Sequence, residues 1–235
     1  VVGSNGSSST ILSISGGLTF NEPLWLQGTA AGRAQLLNAS GNNTWAGPID
    51  VTSTNNLVQI SVSSGSLNLA GDITGTMSNG SILFLRGGGS GGSVTGSVDI
   101  GGGTLAKTDD NTWTVGAAGE TYVWGATNVA RGTIKMGAAN VVPASSVLNI
   151  GQNDNANATF DLNGYDQTVG GLTYILGSGG TKSITNSSAT AATLTVNSAA
   201  NYTFAGPITG NLALTKDGAG TLTLTGANTF TGLTT

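Results

Sequence analysis

Residues 212–235 alternate between apolar and polar side chains. Leu222 and Leu224 are interleaved with Thr221, Thr223 and Thr225, so one side of the segment is apolar and the other carries hydroxyl groups. Glycines close both ends of the run, which is typical of corners between strands. The pattern predicts a half-buried β-strand with the leucines inside and the threonines outside.

A second copy of this strand lies far away in the sequence. Residues 65–71 (GSLNLAG) match residues 220–226 (GTLTLTG) position for position. The match predicts that Leu67 and Leu69 also face the interior. A unit this short cannot bury its own apolar side, so copies must stack on one another to form a core.

Two further internal matches connect other parts of the chain. Residues 105–116 follow residues 214–226 with one residue deleted, and residues 202–208 (YTFAGPI) repeat residues 43–49 (NTWAGPI). The same architecture is therefore expected in both halves of the sequence.

One stretch carries a resemblance to a known family. Residues 214–232 (LTKDGAGTLTLTGANTFTG) resemble the passenger-associated repeat of autotransporter proteins, and residues 37–49 and 159–172 resemble stretches of large repetitive bacterial surface proteins. The resemblance implies an all-β fold, the right-handed parallel β-helix or β-solenoid. It also implies an extracellular or cell-surface location, but no catalytic residues, because the repeat is an architectural motif.

Composition agrees with one elongated domain over residues 1–235. Only 8% of the residues are charged and 39 are glycine, yet 38% are hydrophobic, which favours an ordered chain over a disordered one. A strand period of roughly 20–25 residues predicts about ten coils. No signal peptide is recognised, so the chain is expected to be a mature subunit or a fragment of a longer solenoid.

The absence of cysteine and histidine removes several kinds of chemistry. There is no thiol nucleophile, no histidine-based triad and no zinc site of the usual kind, so neither catalytic residues nor a metal or other cofactor is expected. The formal net charge of −4, with basic residues scattered from Arg33 to Lys216, argues against nucleic acid. No apolar run is long enough for a membrane helix, so this segment is not expected to insert into a membrane.

Two glycine-containing segments invite alternative interpretations. Residues 87–92 (GGGSGG) follow an apolar run and fit the dinucleotide pattern GxGxxG, but strand-like alternation follows them where a helix would be needed. A corner loop is therefore preferred. Residues 177–192 contain few large apolar groups and are expected to loop out of the coil.

The sequence offers weak candidates for glycan chemistry. Asp109 and Asp110 form the one adjacent pair of carboxylates and, with Arg131 and Lys135, would be the residues of a polysaccharide-acting enzyme, although a hydrophilic corner is the preferred interpretation.

Two aromatic residues offer a possible contact for a glycan. Tyr122 and Trp124 lie two residues apart and share one face of a strand. They would form a stacking platform for sugars if exposed, or fill the interior if buried, and burial is preferred.

Three functions follow from these features. The preferred one is a structural or adhesive surface module whose glycan or protein partner the sequence does not identify. The alternatives are a polysaccharide-acting enzyme and an ice- or mineral-binding face built on Thr221, Thr223 and Thr225. The last requires stacked rungs of threonine, whereas residues 65–71 offer serine, asparagine and alanine at those positions.

The ends of a β-solenoid expose unpaired main-chain groups, which are templates for further strands. The last coil of one molecule would then meet the first coil of the next, giving a head-to-tail homo-oligomer that grows into filaments. The candidate contact residues are Leu222, Leu224, Phe230, Ile11 and Ile14.

Overall fold

The structure, a computed structural model, describes residues 2–3, 9–29, 32–53, 57–175, 177 and 179–235. All regular secondary structure in these residues is β-strand. The strands are β1 (Val2–Gly3), β2 (Thr10–Ile14), β3 (Thr19–Phe20), β4 (Leu24–Gly28), β5 (Ala34–Asn38), β6 (Asn42–Trp45), β7 (Ile49–Ser53), β8 (Leu57–Val62), β9 (Ser66–Leu69), β10 (Ile73–Met77), β11 (Ile82–Arg86), β12 (Gly91–Val94), β13 (Val98–Gly101), β14 (Thr104–Lys107), β15 (Thr112–Val115), β16 (Tyr122–Val123), β17 (Ala126–Val129), β18 (Gly132–Met136), β19 (Val147–Ile150), β20 (Ala158–Asp161), β21 (Gln167–Val169), β22 (Gly171–Tyr174), β23 (Lys182–Asn186), β24 (Ala192–Asn197), β25 (Tyr202–Phe204), β26 (Ile208–Gly210), β27 (Leu212–Asp217) and β28 (Leu222–Leu224).

The strands form three long parallel faces that run along a solenoid. The first face has the order β1-β4-β7-β10-β13-β16, the second β2-β5-β8-β11-β14-β17-β19-β22, and the third β3-β6-β9-β12-β15-β18-β20-β23-β26. Two shorter sheets, β21-β24-β27 and β25-β28, complete the C-terminal coils. The predicted all-β parallel β-solenoid is confirmed, and the nine strands of the third face are close to the ten coils expected.

The register of the ladders gives the coil period. Leu26 pairs with Val51 near the N-terminus, and Leu194 pairs with Leu214 near the C-terminus, where the step along the chain is shorter. Gln167 pairs with Leu194, and the number of residues between these two partners is larger than in both other pairs. The predicted period therefore describes most coils, but it drifts along the chain.

Inward-facing aliphatic residues fill the interior as predicted. Leu67 and Leu69 are fully buried, whereas Leu222 and Leu224 are half-buried and pack against the core. The difference arises because β28 lies at the edge of its two-stranded sheet in the described chain. The side chains of Thr221, Thr223 and Thr225 point outward and are exposed, as predicted.

The prediction for residues 177–192 is wrong. This segment contains β23 (Lys182–Asn186), which pairs with β20 and β26 in the third face. Lys182, Ile184 and Asn186 all point inward and are buried, and the ammonium of Lys182 donates to the main-chain oxygens of Asp154 and Gly179. Buried polar side chains therefore help to keep the segment in the coil. Residues 1, 4–8 and 176, which fall in other predicted segments, lie outside the described residues.

The two copies of the AGPI segment close different corners. The first copy leads from β6 in the third face to β7 in the first, and the second leads from β25 to β26 in the third face. Both copies need glycine, because a Cβ atom on Gly47 would lie 2.2 Å from the oxygen of Glu22 and one on Gly206 would lie 1.9 Å from the oxygen of Lys182. The repeated sequence therefore specifies a tight corner rather than a particular face.

Candidate functional site

Trp124 lies in the interior, not on the surface. It is 3% exposed, and its indole nitrogen donates to Oγ1 of Thr127 at 2.8 Å, which in turn contacts the hydroxyl of Ser146 at 2.9 Å. Tyr122 is half-buried, lies edge-on to Trp124, and its hydroxyl accepts a hydrogen bond from the amide of Ala117 at 2.8 Å. The pair does not form the exposed sugar-stacking platform that was one interpretation of its sequence.

The candidate end-to-end residues differ in accessibility. Ile11 is 53% exposed, whereas Ile14 is buried in the core. Leu222, Leu224 and Phe230 are half-buried against the core. End-to-end assembly through these residues stays a prediction.

Lys107 ends β14 with a side chain that points into the core. It is fully buried, and its ammonium donates to the main-chain oxygens of Thr108 at 2.5 Å, Asp109 at 2.7 Å and Arg131 at 3.3 Å. Burial lowers the pKa of Lys107 to about 8, against the opposing charges of Asp109 and Asp110. The lysine holds the corner together from inside.

Asp109 occupies that corner in a left-handed conformation, with φ of 66°. Its carboxylate accepts hydrogen bonds from Nε of Arg86 at 3.1 Å and from the amide of Gly87 at 2.9 Å. Burial raises the pKa of Asp109, but these two hydrogen bonds and the charges of Arg86 and Lys107 outweigh it and hold the pKa below its ordinary value.

Asp110 is exposed and forms an ion pair with a different arginine, Arg131. Nη2 of Arg131 donates to both of its carboxylate oxygens at 2.9 and 3.0 Å. Lys135 lies on another face, 3.8 Å from a carboxylate oxygen of Asp161. The four residues considered for catalysis therefore do not form one cluster.

A groove on the second face gathers all three arginines of the chain. It is lined by Arg33, Leu57, Gln59, Phe84, Arg86, Thr108, Asp109, Arg131 and Gln152, and has a volume of about 370 Å³. The hydrogen-bond network orients the amide oxygen of Gln59 to accept from Nη1 of Arg33 at 3.1 Å and Nη1 of Arg86 at 3.3 Å. We call this surface the arginine groove.

The arginine groove was missed in the sequence because the basic residues look scattered. The structure corrects that view, since Arg33, Arg86 and Arg131 follow one another at close to two coil periods along the chain and line the same surface. The intervals, 53 residues from Arg33 to Arg86 and 45 from Arg86 to Arg131, were a weak signal in the sequence, because the step between paired residues varies from coil to coil.

A second depression has a different character. It lies over the glycine strand β12, has a volume of about 290 Å³, and is lined mainly by serine, threonine, asparagine and glycine with no charged side chain. The predicted corner is confirmed for residues 87–90, whereas Gly91 and Gly92 begin β12 and line this depression. The arginine groove is therefore the more distinctive site.

Neither a metal site nor a membrane-spanning helix emerges from the described part of the chain. No three acidic side chains within it come close enough together to hold an ion. No helix there is long and apolar enough to cross a membrane.

Comparison with known proteins gives one match. The passenger-associated-transport-repeat family matches residues 214–235, which include the end of β27 and all of β28. Neither the curated proteins nor the solved structures contain a match to the chain. The repeat and the β-solenoid together fit an autotransporter passenger-type repeat protein.

Proposed function

We propose that this β-solenoid is a structural and adhesive module presented at the bacterial cell surface or secreted from it. The observation that carries the proposal is the continuity of the passenger-type repeat with the rest of the rod. In the matched region, β27 is bonded along its length to β24, and β28 pairs with β25. The repeat is thus one rung of the solenoid rather than an appendage.

The acidic pair supports binding rather than catalysis. A glycosidase needs one carboxylic acid with a raised pKa, whereas the pKa of Asp109 is held below its ordinary value. Asp109 and Asp110 each orient an arginine, Arg86 and Arg131 respectively. Such fixed guanidinium groups suit recognition of an anionic partner.

Labelling of intact cells tests the proposal. Antibodies raised against the purified chain should label intact cells of the producing strain, or the antigen should be recovered from the medium. External protease should remove the cell-bound signal, while a cytoplasmic marker protein remains intact as the control. Labelling that appears only after permeabilisation would refute the proposed location.

A further inference from the structure

We propose that the arginine groove binds an acidic polysaccharide whose carboxylates pair with Arg33, Arg86 and Arg131. This inference rests on the proposed adhesive function and names the chemical class of its partner. Four kinds of observation support it: the charge of the groove, its dimensions, the way its arginines are held, and its aromatic side chain.

The arginine groove carries positive charge, although the chain as a whole is acidic. Its lining carries three arginines and one aspartate, whereas the whole chain has a formal net charge of −4. Asp110 pairs with Arg131 beside the groove, so three arginines face two aspartates and an excess of positive charge remains. A concave surface with such an excess attracts anionic ligands and favours their encounter. Guanidinium groups suit this role because their planar donors match the geometry of a carboxylate.

The dimensions of the groove suit a linear polymer. Arg33, Gln59, Arg86, Asp109, Arg131 and Gln152 come from six successive coils of the second face. With about 4.8 Å between stacked strands, the six coils extend over ~24 Å. Arg33 and Arg86 both donate to the amide oxygen of Gln59, so their guanidinium groups form one close pair, and Arg131 comes from a coil two steps beyond that of Arg86. A polysaccharide lying along the coils could place one carboxylate at the pair of Arg33 and Arg86 and another at Arg131.

The central arginine is held in place before any ligand arrives. Arg86 donates to Asp109 through Nε and to the amide oxygen of Gln59 through Nη1. Asp109 adopts the left-handed conformation that Gly218 adopts in the C-terminal repeat, with φ of 66° and 75°. Aspartate tolerates this conformation better than most residues do, and here its carboxylate accepts a hydrogen bond from Arg86. We assign Asp109 as a positioning residue for Arg86.

The aromatic side chain favours a sugar over a peptide. Phe84 points outward from β11, is half-buried, and lies between Gln59 and Ala106 in the ladder. The C–H face of a sugar ring can pack on such an aromatic face. The amides of Gln59 and Gln152 line the same groove and can form hydrogen bonds with hydroxyl groups.

Calorimetric titration of the purified chain tests the inference. Polygalacturonate is the acidic glycan, dextran the neutral glycan and polyglutamate the acidic polymer without sugars. We expect binding of polygalacturonate that weakens as salt rises from about 0.05 M to about 0.5 M. Binding to dextran should be absent, and binding to polyglutamate should be at least tenfold weaker.

Variants connect the binding to the groove. Arg86→Gln should weaken polygalacturonate binding at least tenfold, and Arg33→Gln, at an exposed end of the groove, gives a second test if the first variant unfolds. Lys135→Gln is the matched control, because it removes the same charge on another face and should leave binding unchanged. Phe84→Ala should weaken polygalacturonate binding while leaving any binding of polyglutamate unaltered.

Several results would overturn the inference. These are no binding of polygalacturonate, equal binding of dextran, equal binding of polyglutamate, or equal losses in Arg86→Gln and Lys135→Gln. The labelling experiment on intact cells is independent of all of them. If the chain is labelled at the cell surface but does not bind polygalacturonate, the proposed ligand is wrong and the proposed function is unaffected.

Discussion

The corners after Lys107 and Lys216 are two copies of one repeat with different surroundings. In both, the lysine ammonium donates to the main-chain oxygens of the next two residues and to one oxygen from a neighbouring coil. The second residue after the lysine is left-handed in both, but it is Asp109 in one copy and Gly218 in the other. Only the first of these two corners lies beside Arg86 and Arg131.

This comparison separates architecture from candidate function. The lysine and the left-handed turn recur, so they belong to the repeat and hold the corner closed. The aspartate and the arginines are found at one copy, where they line the arginine groove. A recurring motif therefore builds the rod, and a departure from the motif supplies the site.

The two copies should differ most in how much stability is lost when a side chain of the strand after each corner is truncated. Trp113 and Leu222 occupy equivalent positions, but Trp113 is fully buried and Leu222 is half-buried. Trp113→Ala should lower the free energy of unfolding by about 3–5 kcal/mol, and Leu222→Ala by about 1–2 kcal/mol. Chemical denaturation measures both values. Equal losses would contradict the assigned difference in burial.

The two lysines provide the next comparison. Lys107→Met leaves three main-chain oxygens at a buried corner without their donor and should cost about 2 kcal/mol. Lys216→Met should cost less than about 1 kcal/mol, because that corner is partly exposed and water can replace the ammonium. Thermal unfolding of the two variants distinguishes these values, and a greater loss in Lys216→Met would contradict the role assigned to the buried lysine.

Exchanging Asp109 and Gly218, the two left-handed turn residues, separates the effect of backbone strain on stability from the role of the carboxylate in binding. In Gly218→Asp, the new Cβ would lie 2.6 Å from the oxygen of Ser198, so we expect a loss of about 2 kcal/mol. Asp109→Gly removes the strain of a left-handed residue that is not glycine, but it also removes the partly exposed ion pair with Arg86. These effects oppose each other, so the free energy of unfolding should change by less than about 1 kcal/mol. The same variant should bind polygalacturonate more weakly. Unchanged binding would remove the positioning role of Asp109.

The smallest expected effect is a dependence on pH. The pKa of Lys107 is about 8 in the folded chain and about 10.5 when unfolded, so the unfolded state binds more protons between these values. Stability from this group should therefore rise between pH of about 8 and about 10.5. The three hydrogen bonds favour the charged form in the folded chain, so we expect the rise to be small. Denaturation of Lys107→Met should lack the rise, while Lys216→Met retains it. If the free energy of unfolding instead fell with rising pH in the parent chain but not in Lys107→Met, the pKa of Lys107 would be raised by folding, and this prediction would be wrong.

Much of the fold could be predicted from local sequence. Alternation at Leu67 and Leu69 identified inward positions, because side chains in a strand point to opposite sides in turn. The repeats required stacking, since one coil cannot bury its own apolar side. Residues 177–192 were predicted wrongly because two polar side chains, Lys182 and Asn186, are buried beside Ile184, and hydrophobicity alone does not reveal such inward positions.

The sequence by itself therefore determined the parallel coil, its approximate period and the inside and outside of its strands. Only the tertiary structure decided that Trp124 is buried and that Arg33, Arg86 and Arg131 share one groove. The physical reason is that the step between paired residues varies from coil to coil, so counting along the chain does not establish which side chains stack. At a corner, the backbone torsion of a single residue such as Asp109 sets the direction of its carboxylate, and alternation does not encode that direction.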